Sequence, residues 1–113
     1  SNLDDVIGGY ERLSDDWGGN LDGHIRATAA AYQDVAGMLA ELRSAHAEGN
    51  AARFRRAAHS LKSNSETFGA KRLAALARAL ELNGIESADA AAVARVADEY
   101  EQAIAALKEL RNA

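Results

Sequence analysis

A histidine at position 59 has Arg55 four residues before it, Lys62 three after and Ser63 four after. On a helix those offsets stack side chains on one face, so positive charge and a small side chain would flank the imidazole. An imidazole with one neutral nitrogen exposed is a nucleophile toward a phosphoryl donor, provided the proton on its other nitrogen is held in place. A nearby carboxylate can hold it, and Glu81, in a later helical segment, is the candidate. The plain alternative is a solvated helix face, with Glu81 paired to Arg78 on its own helix.

The elements that must position these groups emerge from the apolar periodicity. Phe54, Ala58, Leu61, Ser65 and Phe68 form a narrow stripe at helical spacing, which predicts a helix from Ala51 to about Thr67 ended by Gly69. With that stripe at zero, His59 projects about 140° away, Ser63 near 180°, Arg55 near 100° and Lys62 near 80°. A core histidine would not face that way, so His59 is expected to meet solvent. The next segment, Ala70 to Asn83, lines up Leu73, Leu76, Ala77 and Leu80 and closes at Gly84. Glu81 stands about 80 to 100° from the centre of that stripe, within reach of the preceding helix.

Three more segments complete the frame. Ile25, Ala29, Tyr32, Ala36, Leu39 and Leu42 trace one long helix from about Leu21 to Ala47, stopped by Gly49-Asn50, which also opens the next helix. Ser87 is the expected N-cap of the last helix, whose stripe runs through Val93, Val96, Ala97, Tyr100, Ile104, Leu107 and Arg111. Leu3, Val6, Ile7, Tyr10 and Leu13 give a short N-terminal helix before the Asp15–Asn20 breakers, with Tyr10 and Trp17 packing it onto the rest. Short connections put successive helices antiparallel. The expected fold is all-α: an up-down-up-down four-helix bundle over residues 21–112, with residues 1–20 as an additional helix and linker, in one domain of 113 residues.

Composition narrows the function. With 48% apolar and 27% charged residues and no long uninterrupted apolar run, the chain is of the soluble globular class, without a spanning helix or secretory signal. It lacks proline, which favours helix, and it lacks cysteine, which removes disulfides, thiol nucleophiles and thiolate metal sites and suggests a cytoplasmic setting. A net charge of −4 argues against broad attraction to nucleic acid or anionic membrane. His24, His46 and His59 never pair at the i, i+4 spacing of a helical metal site, so a metal-binding bundle is disfavoured. His24 reads as an exposed helix-start residue, and His46, near a helix C-terminus, as structural. The opening Ser1-Asn2 resembles what removal of an expression tag leaves, which suggests a domain excised from a longer chain.

The stretch Ala57-Ala58-His59-Ser60-Leu61-Lys62-Ser63-Asn64-Ser65, then Phe68-Gly69-Ala70, then Leu73, Leu76 and Leu80-Glu81, resembles the signature of histidine-containing phosphotransfer domains. The match is dense from Arg53 to Gly84 and extends beyond it in helix length and pattern only. The resemblance implies that His59 is phosphorylated, that Lys62 assists the phosphoryl group, and that Glu81 bonds the other ring nitrogen. Ser63 departs from the family, which most often has glycine there to let a partner come close.

The resemblance further implies a carrier and not an enzyme with its own nucleotide site, and the sequence has no glycine-rich phosphate loop. The partners would be receiver domains of a hybrid histidine kinase or a response regulator, which supply the aspartate and the divalent metal, so no cofactor is expected on this chain. Docking is assigned to Arg55, Arg56, Ser63 and Glu66, association to the weak and transient class, and the domain to a cytoplasmic monomer, standing alone or as the cytoplasmic end of a membrane-bound hybrid kinase. Two alternatives stand beside this: the phosphorylated domain of a chemotaxis-type kinase, disfavoured by Ser63-Asn64-Ser65, and a degenerate bundle that only binds proteins, disfavoured because His59, Lys62 and Glu81 are all present.

Overall fold

In segments rich in alanine, leucine, glutamate and arginine and free of proline, little interrupts a helix except glycine, and the helices stop at glycines. The computed structural model describes residues 21–67 and 69–112, and all regular structure among them is helical. Helix α1 spans Leu21–Glu48, α2 Ala51–Thr67, α3 Lys71–Asn83 and α4 Ala90–Asn112, with one 3₁₀ turn, Ile85–Ser87, between the last two. The expected helix near residues 3 to 13 and the packing of Tyr10 and Trp17 lie outside the described residues.

The ends of α1 and α2 are built alike. Gly49 and Gly69 take left-handed backbone, with φ of 68° and 83°, which a β-carbon would strain. At the first, Asn50 N–H donates to the Ala45 carbonyl at 2.9 Å and Gly49 N–H to that of His46 at 3.2 Å. At the second, Ala70 N–H donates to Ser65 at 2.8 Å and Gly69 N–H to Glu66 at 3.2 Å. Each pair satisfies carbonyls that the helix leaves open. Asn50 then caps α2, its Oδ1 accepting from Arg53 N–H at 3.1 Å.

The start of α4 corrects the sequence reading. Ser87 belongs to the 3₁₀ turn, and the cap is Asp89, whose carboxylate accepts from Ala92 N–H at 2.7 Å. The turn uses up the residues that a direct entry would have placed in the helix, and a carboxylate also suits the positive end of the helix dipole.

The core follows the large side chains. In α2 the buried residues are Phe54, Ala57, Ala58, Leu61 and Ser65, the expected stripe as far as Ser65 widened by one alanine, while Phe68 lies outside the described residues. In α1 the buried line runs through Thr28, Tyr32, Val35, Leu39 and Leu42, and Ala29 and Ala36 fall to its half-buried edge. An alanine contributes so little apolar area that it cannot choose the face against tyrosine, valine and leucine. Between α2 and α3, Arg55 lies over Gly84 while Lys62 meets Glu81, so the two helices pass in opposite directions. His46 ties the end of α1 to the α3–α4 connection: its Nε2–H donates to the Ala88 carbonyl at 2.8 Å, and its ring tilts against Phe54. Among the described residues no helix is long and apolar enough to cross a membrane.

Candidate functional site

The buried stripe of α2 divides the rest of its surface into two flanks and a crest. Arg55, Lys62 and Glu66 lie on one flank, about 80 to 120° from the stripe, and Arg53, Ser60 and Asn64 on the other, with Arg56, His59 and Ser63 near the crest. The first flank faces α3 and the second faces α1, because Lys62 reaches Glu81 whereas Arg53 reaches Glu41. His59, at the border of crest and α3 flank, is open to solvent and within reach of α3. Its side chain is 60% exposed.

Glu81 is the hinge of the site. One carboxylate oxygen is hydrogen-bonded to Nδ1 of His59, and the other accepts from Lys62 Nζ at 3.0 Å. The Lys62 hydrogen bond holds the Glu81 carboxyl below the usual carboxylate range; partial burial pushes the other way, and the His59 hydrogen bond adds to the lowering. An ionised carboxylate has only lone pairs to offer. The Nδ1 atom facing it must therefore carry a proton, which in the neutral ring leaves Nε2 as the bare nitrogen. The arrangement is that of a nucleophile with its tautomer set from behind.

Of the other site residues expected from the sequence, Arg55, Arg56 and Glu66 are exposed and Ser63 is half-buried. Lys62 stands on the α3 flank where its spacing puts it. It is spent on Glu81, with only 21% of its side chain exposed, and does not stand free beside the imidazole. Glu81 likewise is held by α2 and not by Arg78 within α3. The sequence reading took no account of Arg53, which bonds Glu41 at 2.7 Å, Glu48, and Ser44 at 3.2 Å, and so clasps α1 to α2 beside the site. Its signal was its position on the flank opposite Lys62, where only α1 can lie. Between these helices lies a groove of about 550 Å³, lined in part by Asp34, Met38, Glu41, Arg56 and Ser60.

Residues 28–110 match the family model of the Hpt domain. The chain belongs to the Hpt domain family. No curated protein and no solved structure matches it. Hpt domains are phosphotransfer carriers of two-component signalling, interacting with receiver domains, and are generally without a nucleotide site of their own. In this Hpt domain the matched span covers the histidine, lysine and glutamate just described. Among the described residues no three histidine, aspartate or glutamate side chains gather as a metal site would require, and the side chain of His24 lies outside them.

Proposed function

We propose that this Hpt domain accepts a phosphoryl group on Nε2 of His59 from the phosphoaspartate of one receiver domain and passes it to the aspartate of another. The observation that carries the reading is the exposed imidazole whose Nδ1 is engaged by an ionised Glu81. In the forward step the Nε2 lone pair attacks phosphorus, the N–P bond forms, and the P–O bond to the aspartate breaks, returning that residue to a carboxylate. The proton stays on Nδ1 throughout, donated to the Glu81 carboxylate. The return step is the same path reversed, with the imidazole as leaving group.

The chain would supply position and charge, while the receiver would bring the aspartate and its divalent metal. Glu81 is a positioning residue for the ring, and Lys62 acts on Glu81 and, in this reading, assists the arriving phosphoryl group. The docking face would comprise Arg55, Arg56 and Ser63 near His59 and Glu66 two turns beyond it on α2, and a half-buried serine where the family most often has glycine still leaves room for approach. In this reading the four helices run up-down-up-down, and the protein works in the cytoplasm, alone or as part of a hybrid kinase.

The test is to expose wild type and His59→Gln to a phosphorylated receiver domain and, separately, to phosphoramidate, and to look for acid-labile phosphate on the intact protein. Label on wild type alone is expected. A folded wild type that takes up phosphate from neither donor would defeat the carrier reading.

A further inference from the structure

The charges of this chain are sorted by element. Residues 51–83, the α2–α3 hairpin that carries the site, hold seven arginines and lysines against two glutamates, a balance of +5; the whole chain stands at −4, which leaves −9 for everything else. Some of the hairpin's positive charge is consumed internally. Arg53 is bound by Glu41 and Glu48, and Lys62 by Glu81.

Three guanidiniums are different. Arg55, Arg56 and Arg78 are exposed and have no ion pair among the described residues. Arg55 is one turn before His59 on the α3 flank, with its guanidinium spread over Gly84. Arg56 is three residues before His59 and lines the groove against α1. Arg78 is one turn before Glu81 on α3. Arg55 and Arg56 lie within one turn of the histidine and Arg78 within one turn of its partner Glu81; of the acidic side chains nearby, Asp34 and Glu41 line the α1 groove with Arg56, Glu41 being bound by Arg53, while Glu66 is exposed toward the end of α2 and Glu86 beyond Gly84.

We infer that Arg55, Arg56 and Arg78 form a cationic docking ring that selects receiver domains whose face around the phosphoaspartate is rich in carboxylates. This deepens the carrier reading and rests on it. Arginine forks match carboxylates bidentately, and unpaired exposed charges around a reaction centre act mainly on encounter rate and on the rejection of wrongly charged partners. Three arginines are too few for nucleic acid, which binds through many phosphates, and the −9 elsewhere would repel it.

The experiment compares two initial rates of His59 labelling: from a phosphorylated receiver domain with net negative charge around its aspartate, and from phosphoramidate. The readout is their ratio, which cancels any loss of folded protein. In wild type the ratio should fall about tenfold between about 50 mM and about 500 mM salt, as steered association does. Arg55→Glu, Arg56→Glu and Arg78→Glu combined should lower the low-salt ratio at least about tenfold and flatten its salt dependence. Arg95→Glu, the same charge change on an exposed residue of α4, should leave the ratio at the wild-type value. A wild-type ratio indifferent to salt, or a triple variant equal to Arg95→Glu, overturns the docking ring while the carrier reading stands. Failure of wild type to label from either donor removes the carrier reading, and the docking ring with it.

Discussion

A histidine that must both take and release a phosphoryl group works only if one nitrogen stays bare while the other keeps its proton, and here both conditions pass through Glu81. Glu81→Gln tests this, because the amide offers one carbonyl oxygen to two donors, Nδ1 of His59 and Nζ of Lys62. Transfer should slow roughly ten- to a hundredfold, by analogy with metal-ligating histidines that lose the group orienting the ring. The ¹⁵N spectrum of the ring should pass from one tautomer to a mixture, a change that a purely structural role would not produce. Lys62→Met separates the second contact. The Lys62 hydrogen bond is the largest cause lowering Glu81, so without it Glu81 titrates at higher pH. A carboxyl depressed in the folded state stabilises the fold above its usual value near 4.5 and loses that contribution as pH falls through the lower folded value. Lys62→Met should therefore be less stable than wild type near neutral pH and lose less of its stability as pH falls below the usual carboxyl value, as followed by thermal midpoints between about pH 3 and 6. Equal Glu81 midpoints by ¹³C NMR in the two proteins would show that Lys62 does not hold the carboxylate. Residue types and angles made His59 and Glu81 legible, but not the choice Lys62 makes between carboxylate and imidazole, since both lie on its flank.

At the scale of elements, what could be read in advance depended on how local the cause was. The stops at Gly49, Gly69 and Gly84 and the cap at Asn50 are set by a few adjacent residues and stand where the sequence put them. Ser87 and Asp89 are both good caps, and nothing local chose between them; the choice follows from the 3₁₀ turn, whose Ala88 carbonyl is bound by His46 from 42 residues away. Asp89→Ala should thus cost about 1 kcal/mol of stability in denaturant unfolding, while Ser87→Ala should cost a few tenths at most. A larger loss at Ser87 would mean that the 3₁₀ turn itself depends on that hydroxyl. The stripe of α1 holds at Tyr32, Leu39 and Leu42, and its edge differs for another non-local reason. Val35 lies within a periodic run that Ala29 and Ala36 also fit, and only the partner helices decide that Tyr32, Val35 and Leu39 go inward. Arg53 is legible in the same limited way: its flank was fixed by α2, but Glu41 and Glu48, its partners, belong to α1.

For the whole molecule, the question is whether its surface asks for a second copy. The long helices, α1 with 28 residues and α4 with 23, outrun α2 with 17 and α3 with 13, giving a rod 44 Å long and 21 by 18 Å across. On its described surface Leu82, 67% exposed, is the large hydrophobic side chain left in the open. A stable homodimer buries on the order of 1,000 Å² or more around an apolar centre, and one leucine falls far short of that. Charge points the same way, since copies that share a net −4 repel one another at a distance. A carrier that must meet one receiver and then another also gains from a histidine that no second copy covers. Sedimentation velocity at about 150 mM salt, where charge effects reach only about 8 Å, should therefore give the monomer mass of 12.0 kDa. A dimer that persists at micromolar concentration would overturn this, and labelling from phosphoramidate would then decide whether its interface leaves His59 open.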